Sequence, residues 1–304
     1  MKPKKEGISF LKPMKVNILL TIMVFLVFKI TKVEIFSTNF ALYGDMSWRV
    51  MTILSNYTPE IEVYSIDEIF LKFNGFENYN LKEYGLKMKA DVLKKTLIPV
   101  SVGFGPNKTL AKVANRIAKK FSQELGGVYS IDSDEKRIKA LKWLKIGDVW
   151  GIGRQHRTRL ENIGVKTAFD FKQLPDSFIQ TEMSIVGLRI KKELLGLECL
   201  ELEAVQKKKN IATTRSFDKS FIKKSELNER ISTFSSRCAE KLRNQQSYCQ
   251  QITVFIRTNF FTQHKPQYNN SITIDLPEPT NSSITLSKTA TYALNLIYRE
   301  GYEY

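Results

Sequence analysis

Cysteine and histidine are scarce in this 304-residue chain, with three Cys and two His. Cys199, Cys238 and Cys249 do not pair off evenly, and beside His156 and His264 they have no metal-ligand spacing. A zinc finger or ribbon is thereby excluded, and reduced thiols in a cytosolic protein are the plain reading. Nine Pro and 15 Gly are too few for a collagenous or linker-like chain. Acidic residues are in deficit: 31 Asp and Glu stand against 47 Lys and Arg, a net charge of +16. That balance suits a polyanionic partner, nucleic acid ahead of a membrane surface. The 42% hydrophobic and 11% aromatic content excludes wholesale disorder. The length allows two or three domains and a sizeable core.

Long apolar runs are also missing, with one near-exception. Residues 16–28 (VNILLTIMVFLVF) carry no charge and follow Lys2, Lys4, Lys5, Lys12 and Lys15. At about 1.5 Å per residue the run is too short to span a ~30 Å hydrocarbon core without its flanks. It resembles the start of a signal peptide, yet no small-residue cleavage site follows. Three readings stay open: an export or anchor segment, a buried apolar element, or residues foreign to the ancestral fold.

From residue 33 onward, strands and helices alternate. A short strand is expected at 33–36, and a helix from 40 to about 57, closed by Pro59. Apolar runs at 61–66 and 69–73, joined at Asp67-Glu68, predict a β-hairpin. A helix over 81–96 and a buried strand over 97–104 follow, then a helix opened by Pro106-Asn107. On that helix Leu110, Val113, Ala114, Ile117 and Phe121 share one face, and Lys108, Lys112, Arg116 and Lys119 another. A strand at 128–131 completes an α+β sheet domain. Residues 133–200 read as short helical pieces, and Lys207-Lys208-Lys209 as a linker. Beyond it come an extended run (211–217), a helix (225–244), two alternating strands (252–257 and 272–276) and a helix (286–299) closed by Gly301. This β-α-β-β-α order is ferredoxin-like without its last strand.

The most informative stretch is Glu62-Val63-Tyr64-Ser65-Ile66-Asp67-Glu68-Ile69-Phe70. Neighbouring strand residues point to opposite faces, so both acids reach one site only where the backbone turns. Hard carboxylate oxygens suit Mg²⁺, and two such ions can clamp an in-line phosphoryl displacement. Taken alone, the pair reads first as a solvated hairpin tip.

The surroundings resemble a known family. Ser65-Ile66-Asp67-Glu68 is similar to the Ser-Ile-Asp-Glu motif of the Y-family translesion DNA polymerases. Residues 37–47 (STNFALYGDMS) resemble the "SSNYxLYADMS" segment of that family's UmuC branch. Residues 103–112 (GFGPNKTLAK) resemble its "GIGxTKTLAK", and 148–153 (DVWGIG) match "DVWGIG" outright. Residues 214–217 and 254–258 look like later signatures.

The resemblance implies partial fingers and an incomplete Y-family palm at 33–132 with a ferredoxin-like sheet. A small helical thumb with a helix-hairpin-helix would occupy 133–203, and a ferredoxin-like little finger 204–304. Residues 1–32 form an atypical apolar and basic segment. The implied activity is error-prone translesion DNA synthesis by two-metal phosphoryl transfer, in SOS DNA repair and in the cytoplasm. Asp67 would bridge two Mg²⁺ ions, and Glu68 would bind the one that activates the primer 3′-hydroxyl. The family places Ala where this chain has Ile69. Lys119 falls where the family holds the incoming triphosphate; the alternative is a solvated lysine. Gly151 and Gly153 would let backbone N–H groups approach a DNA phosphate, with Arg154 and Arg157 adding charge. Lys112, Arg215 and Arg257 are further candidate DNA contacts. Primer-template DNA and deoxynucleoside triphosphates are the implied substrates. By resemblance alone, a UmuD-type regulatory subunit and a RecA filament are partners, with no membrane partner favoured.

Parts of the family pattern are lacking. The family's first strand carries an Asp that is its third metal ligand, whereas this chain has no Asp before Asp45 and only Glu6 and Glu34 as earlier acids. The fingers' Arg and Tyr that grip the triphosphate also lack counterparts. The expectation is that a frameshift or internal start replaced the beginning. The chain also ends at Tyr304, before the family's last little-finger strand and clamp-binding tail. Two readings follow: a translesion polymerase of doubtful catalytic competence, or a non-catalytic damaged-DNA-binding remnant of one.

Overall fold

A computed structural model describes residues 38–203, 207–217, 219–262 and 264–304. The apolar run at 16–28 and the expected strand at 33–36 lie outside the described residues. The chain divides into two compact units at Ala204–Val205.

The first unit begins with helix α1 (Phe40–Leu54), whose N-terminus is capped by the Asn39 side chain. Strands β1 (Ile61–Val63) and β2 (Ile69–Leu71) pair antiparallel in the register Ile61↔Leu71, Glu62↔Phe70, Val63↔Ile69. Helix α2 (Leu81–Thr96) starts at an Asn80 cap. Strand β3 (Val102–Phe104) pairs in parallel with β4 (Val128–Ser130). Between them run α3 (Lys108–Lys120) and the single turn α4 (Ser122–Leu125). Each described sheet has two strands.

The expected strand over 97–104 shrinks to its last three residues. Leu97 caps α2 in a left-handed conformation and is 83% exposed. Pro99 then withholds an N–H from any ladder.

Helix α3 packs on β3 with almost no clearance. A Cβ on Gly103 would overlap the backbone nitrogen of Asn115 and lie 2.5 Å from the Ala111 carbonyl oxygen. Two cores meet near these elements. Val50, Leu54, Met88, Val92, Phe104 and Val128 form one. Leu110, Val113, Ala114 and Ile117 of α3 enter the other, with the helical pieces that follow. Those are α5 (Asp134–Trp143), a 3₁₀ turn (Ile146–Asp148), α6 (Arg154–Asn162), α7 (Ala168–Gln173) and α8 (Asp176–Leu194). Helix α7 opens with a capping box between Thr167 and Asp170. Helix α8 is broken at Ser184.

The second unit holds α9 (Lys224–Asn244), β5 (Cys249–Arg257), β6 (Asn269–Thr280) and α10 (Ser283–Ile297). The strands pair antiparallel, and Leu227, Val254, Ile256, Ala290 and Leu294 share a core. The outer sheet face carries polar cross-strand pairs, Gln251 with Asp275 and Thr253 with Thr273, beside an exposed Phe255. The extended run at 211–217 forms no strand. Near the chain's end, Phe221 and Tyr304 exchange backbone hydrogen bonds of 2.8 and 2.9 Å.

Candidate active site

The hairpin β1–β2 turns at residues 64–68. The N–H groups of Tyr64 and Ser65 both donate to the Glu68 carbonyl at 3.1 Å. Ser65 Oγ donates to Asp67 Oδ1 at 2.7 Å and accepts from Asp67 N. That turn fixes an exposed Asp67 beside a half-buried Glu68. Glu68 receives Lys112 Nζ on both carboxylate oxygens, at 3.1 and 2.9 Å.

Cross-strand partners Glu62 and Phe70 share the hairpin face turned to α3. Lys108 Nζ meets the Glu62 carboxylate at 2.5 Å, donates to the Glu201 carbonyl and lies 5.1 Å from the Phe70 ring centre. Both side chains of the ion pair are 9% exposed. Glu203 N also donates to Glu62, at 2.8 Å. One turn on, Lys112 Nζ sits 4.6 Å from the Tyr64 ring centre, 5.1 Å from Trp150 and 6.0 Å from Phe70. The three rings pack together at 5.5 to 5.7 Å, and Trp150 Nε1 donates to Tyr64 Oη at 3.0 Å. Another turn on, Arg116 pairs with Asp148 at 2.7 Å.

The basic stripe of α3 is therefore largely neutralised within its own unit: Lys108, Lys112 and Arg116 each face an acid. Spacing alone reveals the stripe, at i, i+4 and i+8. It cannot reveal the acids opposite, which come from distant parts of the chain. Lys119, on the last turn, is exposed. Tyr64, Phe70 and Trp150 escape a search for charged and glycine motifs; the signal that could find Phe70 is the alternation that turns Glu62 toward α3. Ile69, where the family has Ala, faces the other way and packs into the core of α1 and α2.

Gly151 adopts φ +89°, and a Cβ there would meet Ile190 Cδ1 at 2.6 Å. The left-handed backbone calls for glycine, while the Ile190 tip could turn aside. Gly153 is the N-cap of α6, with open space around its Cα and no side-chain cap. The first N–H groups of that helix thus have no side-chain acceptor among the described residues. Arg154 and Arg157 lie on its first turn; Arg157 pairs with Glu161 at 2.8 Å. In the second unit Arg215 and Arg257 are exposed, the latter at the end of β5 with its guanidinium 5.8 Å from the Phe260 ring centre.

Asp67 and Glu68, consecutive in sequence, one accessible and one already opposite an ammonium, offer hard oxygens of the kind that suits a divalent cation completed by phosphate oxygens. Among the described residues no group of three His, Cys, Asp or Glu comes together. A two-ion clamp would need a further carboxylate.

Residues 17–116 match the model of the impB/mucB/samB family, and residues 208–304 match that of the family's C-terminal domain. The chain belongs to this family. It is 37% identical to protein UmuC of Salmonella typhimurium over 279 residues, covering 91% of this chain and 66% of that protein. Protein ImpB of Salmonella typhimurium is 37% identical over 276 residues, 90% of this chain and 65% of its own length. Protein MucB of Escherichia coli is 33% identical over 274 residues, with coverages of 90% and 65%. The chain thus spans just under two thirds of these relatives' lengths. Among solved structures, the Y-family DNA polymerase chimera Dbh-Dpo4-Dbh matches with a TM-score of 0.63 at 22% identity, over 85% of this chain and 72% of that one. The insertion ternary complex of Dbh DNA polymerase matches at 0.54 and 22% identity, over 92% and 78%. The architecture of α+β units with small sheets is the Y-family fold. Within the impB/mucB/samB frame, Asp67, Glu68 and Lys112 lie in the first matched segment, Arg215 and Arg257 in the second, and Lys119 and the glycine-bearing turn at 151–153 between them. The first match begins at residue 17, inside the apolar run and ahead of the motifs that start at 37. No helix among the described residues is long and apolar enough to cross a membrane.

Proposed function

We propose that the chain acts in translesion DNA synthesis as a Y-family, DNA-directed DNA polymerase, transferring deoxynucleotides to a primer end on damaged template. The observation that supports this reading is the hairpin turn that carries the consecutive residues Asp67 and Glu68, with Ser65 bonded to Asp67 and Lys112 of helix α3 bonded to Glu68. Asp67 and Glu68 would hold Mg²⁺, which when bound supplies charge neutralisation for the in-line phosphoryl transfer. Ser65 orients the Asp67 carboxylate, and Lys119 extends an exposed ammonium for the triphosphate. The uncapped start of α6, with Arg154, would take a duplex phosphate, and Arg215 and Arg257 the duplex backbone beyond. These contacts carry no base identity, which suits a polymerase that must accept a damaged template. A role in the SOS response, with a UmuD-type subunit and a RecA filament in a cytoplasmic assembly, rests on kinship with UmuC.

A second reading, a DNA-binding remnant without catalysis, is favoured by one observation: a third carboxylate is not gathered among the described residues. Primer extension by the purified chain and its Asp67→Asn variant separates the two. The polymerase reading expects Mg²⁺-dependent extension that the variant loses while its DNA affinity stays within about twofold. No extension by either protein, with DNA binding intact, would leave the remnant.

A further inference from the structure

We infer that Lys112 is the resident counter-ion of Glu68, an ammonium that occupies the carboxylate's cation position and yields it when a divalent cation arrives. This positioning role rests on the proposed metal-binding role of the acid pair. It differs from the DNA contact that the sequence suggests for Lys112.

Three observations carry it. First, the contact is two-pronged: one ammonium meets both Glu68 oxygens, at 3.1 and 2.9 Å. A lysine ammonium acts there as a point charge lying between the two oxygens, where a cation held by both would sit. Second, the partners differ in access. The Glu68 side chain is 40% exposed and that of Lys112 21%, so an ion from solvent reaches the carboxylate without first uncovering the lysine. The neighbouring Lys108–Glu62 pair, at 9% each, offers no such access and is structural. Third, the ammonium has somewhere to remain. Tyr64, Trp150 and Phe70 ring it, and the Trp150–Tyr64 hydrogen bond keeps two of those rings together. Their faces attract the cation after Glu68 has turned to another charge. A released Lys112 therefore stays beside the site instead of swinging into solvent.

The inference makes Lys112 a competitor for the metal position, so removing its charge strengthens cation binding. Terbium(III) tests this, because luminescence sensitised by Trp150 and Tyr64 reports binding at the site without any turnover. Titrations of the full chain would compare the wild type with Lys112→Met, Lys112→Gln and Lys112→Arg. The neutral variants should lower the terbium midpoint by about three- to tenfold, and the arginine variant should stay within about twofold. Duplex affinity and its salt slope should not change. A midpoint unmoved or raised in both neutral variants overturns the inference. So does a salt slope reduced by about one, which marks a lost phosphate contact instead. If the neutral variants do not fold, lysine ¹³Cε NMR of the wild type decides: Mg²⁺ should shift the Lys112 resonance, and an unmoved resonance overturns the inference. Asp67→Asn and Glu68→Gln separate the two levels. Terbium binding insensitive to both removes the metal role of the acid pair itself. Binding sensitive to both but not to Lys112 removes the counter-ion role alone.

Discussion

The indole N–H of Trp150 donates a 3.0 Å hydrogen bond to the Tyr64 phenol oxygen across 86 residues of sequence. It ties the residue before the Gly151 turn to the residue that opens the acid turn. Tyr64→Phe should cost only about 0.5 kcal/mol, since the contact is solvent-accessible, and Trp150→Phe about 1–2 kcal/mol, since it also trims the ring packing with Tyr64 and Phe70. A double-mutant cycle by urea denaturation should show coupling between them of similar size. Strict additivity would mean that the two turns are not joined by this bond.

Lys108 and Glu62 form a buried pair, so breaking it from one side strands a charge. Glu62→Ala should lower the unfolding free energy by about 3–5 kcal/mol. The double variant Glu62→Leu/Lys108→Leu should recover most of that loss. Denaturant unfolding of the three variants checks both statements, and a mild effect of Glu62→Ala would show that Lys108 finds water or another acceptor.

Glu193 is fully buried on α8, and four donors meet its carboxylate. Thr109 N and Oγ1 reach one oxygen at 3.0 and 2.5 Å, while Cys199 N and Leu200 N reach the other at 3.1 and 2.9 Å. Glu193→Gln turns one acceptor into an NH₂ group facing N–H donors. The expected cost is about 2–3 kcal/mol, seen as a lower Tm with far-UV circular dichroism unchanged at low temperature.

Tyr57 Oη donates to Asp91 Oδ2 at 2.6 Å, and this hydrogen bond, more than Lys95 nearby, holds the Asp91 carboxyl below the usual carboxylate range. Burial, with Asp91 adding to it, pushes the Tyr57 phenol well above its usual value. The signs are opposite. The Asp91 contribution to stability is present above about pH 4 and is lost as pH falls through the lowered pKa. The Tyr57 contribution is present below about pH 10 and is lost as pH rises toward its raised pKa. Tyr57→Phe should return Asp91 to the ordinary range in a carboxyl-carbon NMR titration and flatten the alkaline limb of stability.

Local signals were legible where local chemistry sets the outcome. Helix α2 spans 81–96 as its apolar spacing predicts, because Asn80 caps it and Pro99 stands beyond its end. The hairpin was legible in the apolar runs at 61–66 and 69–73 joined at Asp67-Glu68, although its paired strands are only Ile61–Val63 and Ile69–Leu71. Long-range pairing was not legible. Lys108 belongs by spacing to a solvent-facing basic stripe, yet it is buried, because Glu62 and the Glu201 carbonyl come from elsewhere to meet it. The segment at 211–217 has strand-like composition but no ladder partner among the described residues, and composition cannot supply one.

Gly103 carries neither charge nor side chain, yet it governs how the acid turn meets its lysine. The backbone of α3 rests where a methyl group on that residue would need to be. Even the smallest enlargement there would lift the helix like a shim under a beam and carry the Lys112 ammonium away from its carboxylate, so the reach of one charge to another is calibrated by the thickness of a missing carbon.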